Sequence, residues 1–404
     1  MGIAESGIAE SRIVDTNPVV EALGRRLRLA VIGGGPGSFI GEMHRAASRL
    51  DDRYRIVAAA LSSDAERGRA AARRIGVPAD RAYGSGAELI EREAARDDGA
   101  DVVAIMTPNE THREYSVAAL ERGFDVICDK PLANSLDDAL AVVRAVRSCR
   151  RVFALTHNYT GYPMVRQARA MVADGQLGEI RLVQVEYVQG GNAVEPDRPA
   201  RWRFDPARSG PSLILGDIGT HAHHLVCYVA GVELEAVAAD VGAIVPGRTV
   251  HDYAGVLLRF AGGARGCLWA TQAAAGMESS LGFRISGAAG TVEWHQDRAN
   301  ELRFLPLAGP AQVRTRNGPG TLPLSARGSR VGKGHPEGFH EAFANIYADA
   351  AEVIAARRSG GVPDPLALHF PTVADGARGL AFVEAALASS AAGGGWVDCR
   401  LTLD

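Results

Sequence analysis

The sequence predicts an α/β protein, in which an N-terminal parallel sheet wrapped by helices precedes an α+β domain with a largely antiparallel open sheet. Three observations carry this expectation. From Leu27 to Thr156 short apolar runs alternate with helical stretches. After Thr156 strand-like runs crowd together, with glycine pairs between them. The chain has 404 residues, more than the ~250–300 at which a single hydrophobic core stops growing. The expected units are a flexible leader over residues 1–25, a first domain over 26–156 and a second over 157–404.

The leader lacks the positive start and apolar stretch of a signal peptide, and it repeats Gly2–Ser6 at once as Gly7–Ser11. Strands are then expected at Leu27–Ile32, Tyr54–Leu61, Asp101–Met106, Asp125–Cys128 and Arg151–Thr156. Helices are expected between them at Ile40–Leu50, Ala65–Ile75, Ala87–Ala95, Thr111–Arg122 and Ser135–Val146. Apolar strands linked by helices of this length form βαβ units and a buried parallel sheet.

In the second domain a helix is expected at Pro163–Asp174, a strand at Glu179–Val188 and a long loop at Gln189–Pro211. A helix at Asp217–Ala230 precedes strands at Leu234–Val245, Tyr253–Phe260, Ala264–Thr271, Leu281–Ser286 and Thr291–His295. Gly262-Gly263 and Gly287–Gly290 supply hairpin turns. Leu307–Lys333 reads as a mobile surface loop, and late helices at Gly338–Arg358 and Thr372–Ala392 cover one face or return to the first domain.

A net charge of −3 leaves no basic footprint for nucleic acid, and no apolar run is long enough to cross a membrane. Cys128, Cys149, Cys227, Cys267 and Cys399 are scattered without a C-x-x-C pair, which argues against a disulfide framework or structural zinc. A reducing compartment, the cytoplasm, is the expected location. Of the 44 basic residues only Lys130 and Lys333 are lysines. Arginine cannot replace a compact, titratable ammonium, so both are marked as candidates before any motif is considered.

The first strand runs directly into Gly33-Gly34-Gly35-Pro36-Gly37-Ser38, followed by Phe39 and Ile40 at the head of a helix. Glycines here permit φ > 0 and let backbone N–H groups approach a pyrophosphate at a helix N-terminus. Gly33, Gly35, Pro36, Gly37, Ser38, Phe39 and Ile40 are therefore candidate dinucleotide-binding residues of a Rossmann domain. The second strand ends Leu61-Ser62-Ser63-Asp64 with no carboxylate at its tip. Ser62, Ser63 and Arg67 are able to accept a 2′-phosphate, so NAD and NADP both remain open as the cofactor.

These residues, with Thr107-Pro108-Asn109, His112 and Asp129-Lys130-Pro131, resemble the glucose–fructose oxidoreductase/inositol dehydrogenase (Gfo/Idh/MocA) family. Asn158 with Pro163, Gly178-Glu179-Ile180 and Gly216-Asp217-Ile218-Gly219-Thr220-His221 extend the likeness into the second domain. The resemblance implies a sugar, cyclitol or polyol dehydrogenase with a catalytic Lys130, and Asp217 and His221 on a substrate-facing helix. It also implies Thr107, Pro108, Asn109 and His112 near the nicotinamide ribose and pyrophosphate. Asp129 stands where Glu is usual, a shorter carboxylate at the ribose. Tyr159-Thr160 replace basic residues and His224 replaces an acid, which puts the family's usual substrate in doubt.

The bare residues support the chemistry. Oxidising an alcohol needs a base, a hydride acceptor and a positive group for the developing alkoxide. Lys130 follows a strand at the carboxyl edge where α/β sheets bind ligands. Asp217 and His221 are four apart on a helix and share a face. His221 is the candidate base, and Asp217 orients the substrate or the imidazole. His157, Asn158, Tyr159, Tyr162, Gln184, Trp202 and His335 are candidate pocket walls, with Lys333 and His335 on a glycine-rich stretch able to fold over the site. Asp217, His221 and His224 would suit zinc, but two of them have other roles and no further ligand is evident, so no metal is expected. An NAD-dependent glycosidase and a non-catalytic dinucleotide sensor are the competing readings. The expected partners are a small sugar or polyol and further copies of the chain, as a homodimer or homotetramer; no nucleic-acid or membrane partner is expected.

Overall fold

The computed structural model describes residues 17–194 and 202–403. The leader up to residue 16 therefore lies outside the described residues. Its end is a helix rather than a floppy segment: α1 (Pro18–Leu23) is capped by the Asn17 side chain and buries Val19. Val19 joins a core with Ile354 and Val353, so an apolar contact holds what sequence reading left loose.

The elements that follow are β1 (Leu27–Gly33), α2 (Phe39–Leu50), β2 (Tyr54–Ala60), α3 (Ala65–Arg74), α4 (Gly86–Ala94), β3 (Val102–Met106), α5 (His112–Glu121), β4 (Asp125–Cys128), α6 (Leu136–Cys149) and β5 (Phe153–Leu155). The strands form a sheet ordered β2-β1-β3-β4-β5 with every pairing parallel. Val102 to Ile105 are fully buried, as expected of a strand covered on both faces.

The second half comprises α7 (Pro163–Ala173), β6 (Ile180–Val188), α8 (Pro206–Ser209), α9 (Thr220–Ala230), β7 (Leu234–Gly242), β8 (Tyr253–Phe260), β9 (Arg265–Thr271), β10 (Ser280–Gly287), β11 (Gly290–His295), β12 (Glu301–Pro306), β13 (Gln312–Thr315), α10 (Pro323–Arg327), α11 (Phe339–Ser359), α12 (Val373–Ala391) and β14 (Val397–Asp398). The sheet runs β13-β12-β11-β10-β6-β9-β8-β7-β14, antiparallel except where β6 pairs with β9. One face packs on α7, α9 and α12. The other is exposed: Leu257, Cys267, Gln184, Arg284, Glu293, Arg303 and Val313 lie in one cross-strand row on it.

The stretch expected to be a mobile loop, Leu307–Lys333, contains β13 and α10. Buried ion pairs hold it: Arg316 to Glu337 at 2.8 Å and Arg327 to Asp349 at 2.9 Å. Arginine-rich segments read as surface, yet paired arginines can lie inside. The last helices return to the first sheet. α11 contributes Phe343, Tyr347 and Ile354 to the core beneath β1 and β3, and α12 contributes Ala377 and Leu380 to the opposite core with α6.

Candidate active site

A cavity of about 900 Å³ lies at the carboxyl edge of the parallel sheet, closed on its far side by α8 and Asp217. Its walls include Gly33 to Ile40, Ser62, Ser63, Arg67, Thr107, Pro108, Asn109, Asp129, Lys130 and Trp202. All of the candidate cofactor residues except His112 border it.

At the nucleotide end the backbone makes the shape. A Cβ on Gly35 would stand 2.2 Å from the Leu61 carbonyl oxygen, so the loop lies directly against the end of β2. Ser38, in the place of a third motif glycine, caps α2 by accepting a hydrogen bond from the Gly41 amide at 3.2 Å. The close approach of helix to loop passes instead to Gly41, whose Cβ would meet the Gly34 oxygen at 2.2 Å. The first turn of α2 leaves N–H groups without intrahelical partners, and that turn borders the cavity. A cradle of this kind fits a dinucleotide pyrophosphate. Asp64 caps α3, and the Arg67 guanidinium donates to Ser62 Oγ at 3.0 Å, so the β2 tip presents hydroxyls and a cation.

His112 and Asp129 are turned inward. His112 is fully buried, with Nδ1 at 2.7 Å from the Pro131 carbonyl and Nε2 at 3.0 Å from that of Thr107. It ties the Thr107 loop to the segment after Lys130 rather than lining the cavity. Asp129 accepts from Thr156 Oγ1 at 2.7 Å and lies 3.7 Å from His44 Nε2. Burial pushes its carboxyl up, but His44, Lys130 and Thr156 outweigh burial and hold it well below the ordinary carboxylate range.

Lys130 spans the cavity. Its Nζ donates to the Asp217 carbonyl at 2.6 Å and to Asp217 Oδ1 at 2.8 Å. Asp217 sits in a π turn, Leu215–Gly219, that leads into α9, where sequence reading expected a regular helix. Such wide turns gather at functional sites because they redirect side chains and free carbonyls. Arg203 Nη1 reaches both Asp217 oxygens at 3.0 Å, and Gln272 Nε2 donates to Oδ2 at 2.9 Å. Burial pushes the Asp217 carboxyl up; Lys130 and then Arg203 overcome this, with help from the Gln272 hydrogen bond, and keep it ionised.

His221 lies one turn further, buried, with Tyr159 edge-on at 4.9 Å. Its Nδ1 is 3.3 Å from His157 Nδ1. Burial, reinforced by Lys130, holds this imidazole well below its ordinary pKa and therefore neutral. Tyr159 and Tyr187 join hydroxyl to hydroxyl, and Tyr187 reaches Ser279 at 3.3 Å.

The other pocket-wall candidates divide. Trp202 lines the cavity, with the Arg203 guanidinium over its ring. His157, Tyr159 and His221 lie together behind the cavity and none of the three borders it, with His157 stacked on His224 at 4.6 Å. Asn158 and Tyr162 are buried among the core residues, Tyr162 against Trp294. Gln184 is on the exposed face of β6, because Val183, Val185 and Tyr187 take the inward positions of a period-2 strand. His335 and Lys333 are exposed in a loop whose neighbour Arg316 binds the His335 carbonyl, and neither borders the cavity. Neither Arg203 nor Gln272 is among the candidates named from the sequence; an Asp ringed by cations is visible only once the chain folds. A smaller cavity of about 290 Å³ beneath α9 and the start of α12 contains none of the candidate site residues.

Residues 27–168 match the model of an oxidoreductase family with an NAD-binding Rossmann fold, and residues 165–293 match the GFO/IDH/MocA C-terminal domain. An oxidoreductase structure from Sinorhizobium meliloti is 44% identical over 92% of this chain and 99% of its own, with a TM-score of 0.84. An inositol dehydrogenase homologue from Azotobacter vinelandii, complexed with NAD+, is 36% identical over 93% of this chain and 97% of its own, with a TM-score of 0.88; it is also known complexed with NADH and myo-inositol. Levoglucosan dehydrogenase from Pseudarthrobacter phenanthrenivorans is 29% identical over 93% of this chain and 98% of its own. With its glycine cradle, its Lys130–Asp217 bridge and these matches along nearly the whole chain, the protein belongs to the Gfo/Idh/MocA family of oxidoreductases.

Proposed function

We propose that the protein is an NAD-dependent dehydrogenase oxidising a hydroxyl carbon of a sugar or cyclitol, with Lys130 and His221 handling the proton. The carrying observation is Lys130 at the carboxyl edge of β4, bridged to Asp217 with His221 one turn beyond. The relatives complexed with NAD+ and with myo-inositol support the cofactor and the substrate class.

When bound, the nicotinamide supplies the hydride acceptor. The chain supplies the rest. Lys130 has two of its protons on Asp217, and the ammonium is free to offer its third to a substrate hydroxyl, lowering the cost of alkoxide character there. Asp217 holds that ammonium in place. His221, neutral in the resting site, takes the hydroxyl proton. Trp202 and Arg203 border the same space and contact the sugar ring and its hydroxyls.

The first test is fluorescence titration with NADH and NADPH, then a polyol and sugar panel followed at 340 nm. Turnover falling on the order of 10³-fold in Lys130→Met and His221→Ala, with NADH affinity kept, supports the assignment. Failure to bind either nucleotide removes it. The exposed sheet face, with Leu182, Leu257, Trp269 and Val313, is proposed as the contact between copies of the chain, and light scattering that finds a monomer rejects this.

A further inference from the structure

Asp217 was one candidate for orienting the catalytic imidazole, but its carboxylate is spent. Oδ1 and Oδ2 are taken by Lys130, Arg203 and Gln272, and among the described residues no hydrogen bond joins Asp217 to His221. The polar atom that does reach His221 is His157 Nδ1, at 3.3 Å with the rings nearly perpendicular at 80°. His157 comes from the turn after β5, at the end of the parallel sheet, and is 2% exposed. Its ring is held by stacking on His224 at an angle of 17°, so its Nδ1 has little freedom to turn elsewhere.

We propose that His157 is the positioning residue for His221, fixing the tautomer that leaves His221 Nε2 free to accept the substrate proton. The reading of His221 as base is assumed. Two neutral imidazoles facing each other through Nδ1 share one proton between those atoms. If His157 carried it, His221 would have its own proton on Nε2 and would be unable to act as base. The working arrangement therefore has the proton on His221 Nδ1, donated to the lone pair of His157 Nδ1, with the His157 proton on Nε2. When the hydroxyl proton moves to His221 Nε2, the O–H bond breaks, an N–H bond forms, and the Nδ1–H of the new imidazolium still has His157 as its acceptor. A carboxylate usually fills this place. Here an uncharged acceptor serves, in a buried site already holding Lys130, Asp217 and Asp129.

The test compares His157→Asn, whose Oδ1 accepts from nearly the position of the lost Nδ1, with His157→Leu, which cannot accept. Long-range ¹H–¹⁵N spectra of histidine-labelled full-length protein, with His221→Gln identifying the signals, read the tautomer without any substrate. The expected result is His221 protonated at Nδ1 in wild type and His157→Asn, and a mixture or the Nε2–H form in His157→Leu. With the best substrate of the panel, kcat falls roughly 10²-fold or more in His157→Leu with KM little changed, while His157→Asn recovers most of it. A wild-type His221 carrying its proton on Nε2 overturns the proposal, as do equal rates in the Asn and Leu variants. If His221→Ala itself retains full turnover, the failure belongs to the base assignment and not to His157.

Discussion

At the glycine-loop end of the cavity the chain presents backbone; at the Lys130 end it presents charge. The first is made by one continuous segment, Gly33 to Ile40, packed against the ends of β2 and β3. The second is gathered from β4, the segment before α8, the π turn and the end of β9, which supply Lys130, Arg203, Asp217 and Gln272. A backbone cradle depends on what is missing, a Cβ. A charge cluster depends on every member being present, because a buried ion without its partners is costly. The two ends should therefore fail in different ways.

The largest effect separating them is expected from Gly35→Val. Its Cβ would press on the Leu61 carbonyl oxygen, a backbone atom rather than the far end of a flexible side chain. NADH affinity should fall at least about 10-fold and stability by roughly 1–3 kcal/mol, measured by titration and thermal unfolding. Unchanged NADH binding would mean that the loop does not hold the nucleotide.

Acid should act on neither end directly but on the buried imidazoles of α9 and His157, none of which borders the large cavity. Burial, with His224 adding to it, pushes His223 down to about 3, and His157, His221 and His224 are also lowered, by burial first. The folded protein thus leaves these rings neutral where the unfolded chain would protonate them near pH 6.5. The stability they contribute is complete above that value and is lost as pH falls toward the folded pKa. For His223 this amounts to about 1.4 kcal/mol per pH unit over that window. The urea midpoint should drop between pH 7 and pH 5, before the carboxylates titrate; a flat profile would show that these imidazoles are not buried as described.

The smallest effect refines the glycine-loop end. Arg67 is exposed, and among the described residues its guanidinium hydrogen-bonds Ser62 while its amide is capped by Asp64. Arg67→Ala should leave NADH affinity within about 3-fold and weaken NADPH by roughly 10-fold, since a 2′-phosphate would lose a charge-assisted partner. Equal losses for both would place Arg67 away from the ribose.

Legibility in the sequence followed the same division. The glycine loop was readable because its residues are consecutive and its meaning is local: φ > 0, close approach and a helix N-terminus. Lys130 stands out through the scarcity of lysine, and the structure places it on the cavity. Gln184 was misplaced because strand parity decides which face a residue takes, and the inward set of β6 begins at Val183. The leader's end reads as loose because its partner, α11, lies far along the chain; the segment around Arg316 and Arg327 does so because Glu337 and Asp349 lie in later segments, beyond the span of local periodicity.

The sequence by itself determined the α/β architecture, the order of βαβ units and the position of the glycine loop, because periodicity and turn chemistry act over a few residues. Only the tertiary structure decided that Asp217 belongs to Lys130, Arg203 and Gln272 and that His157 faces His221. Side chains from separate elements become partners only when folding brings them within hydrogen-bonding distance, and burial then sets which of them hold charge.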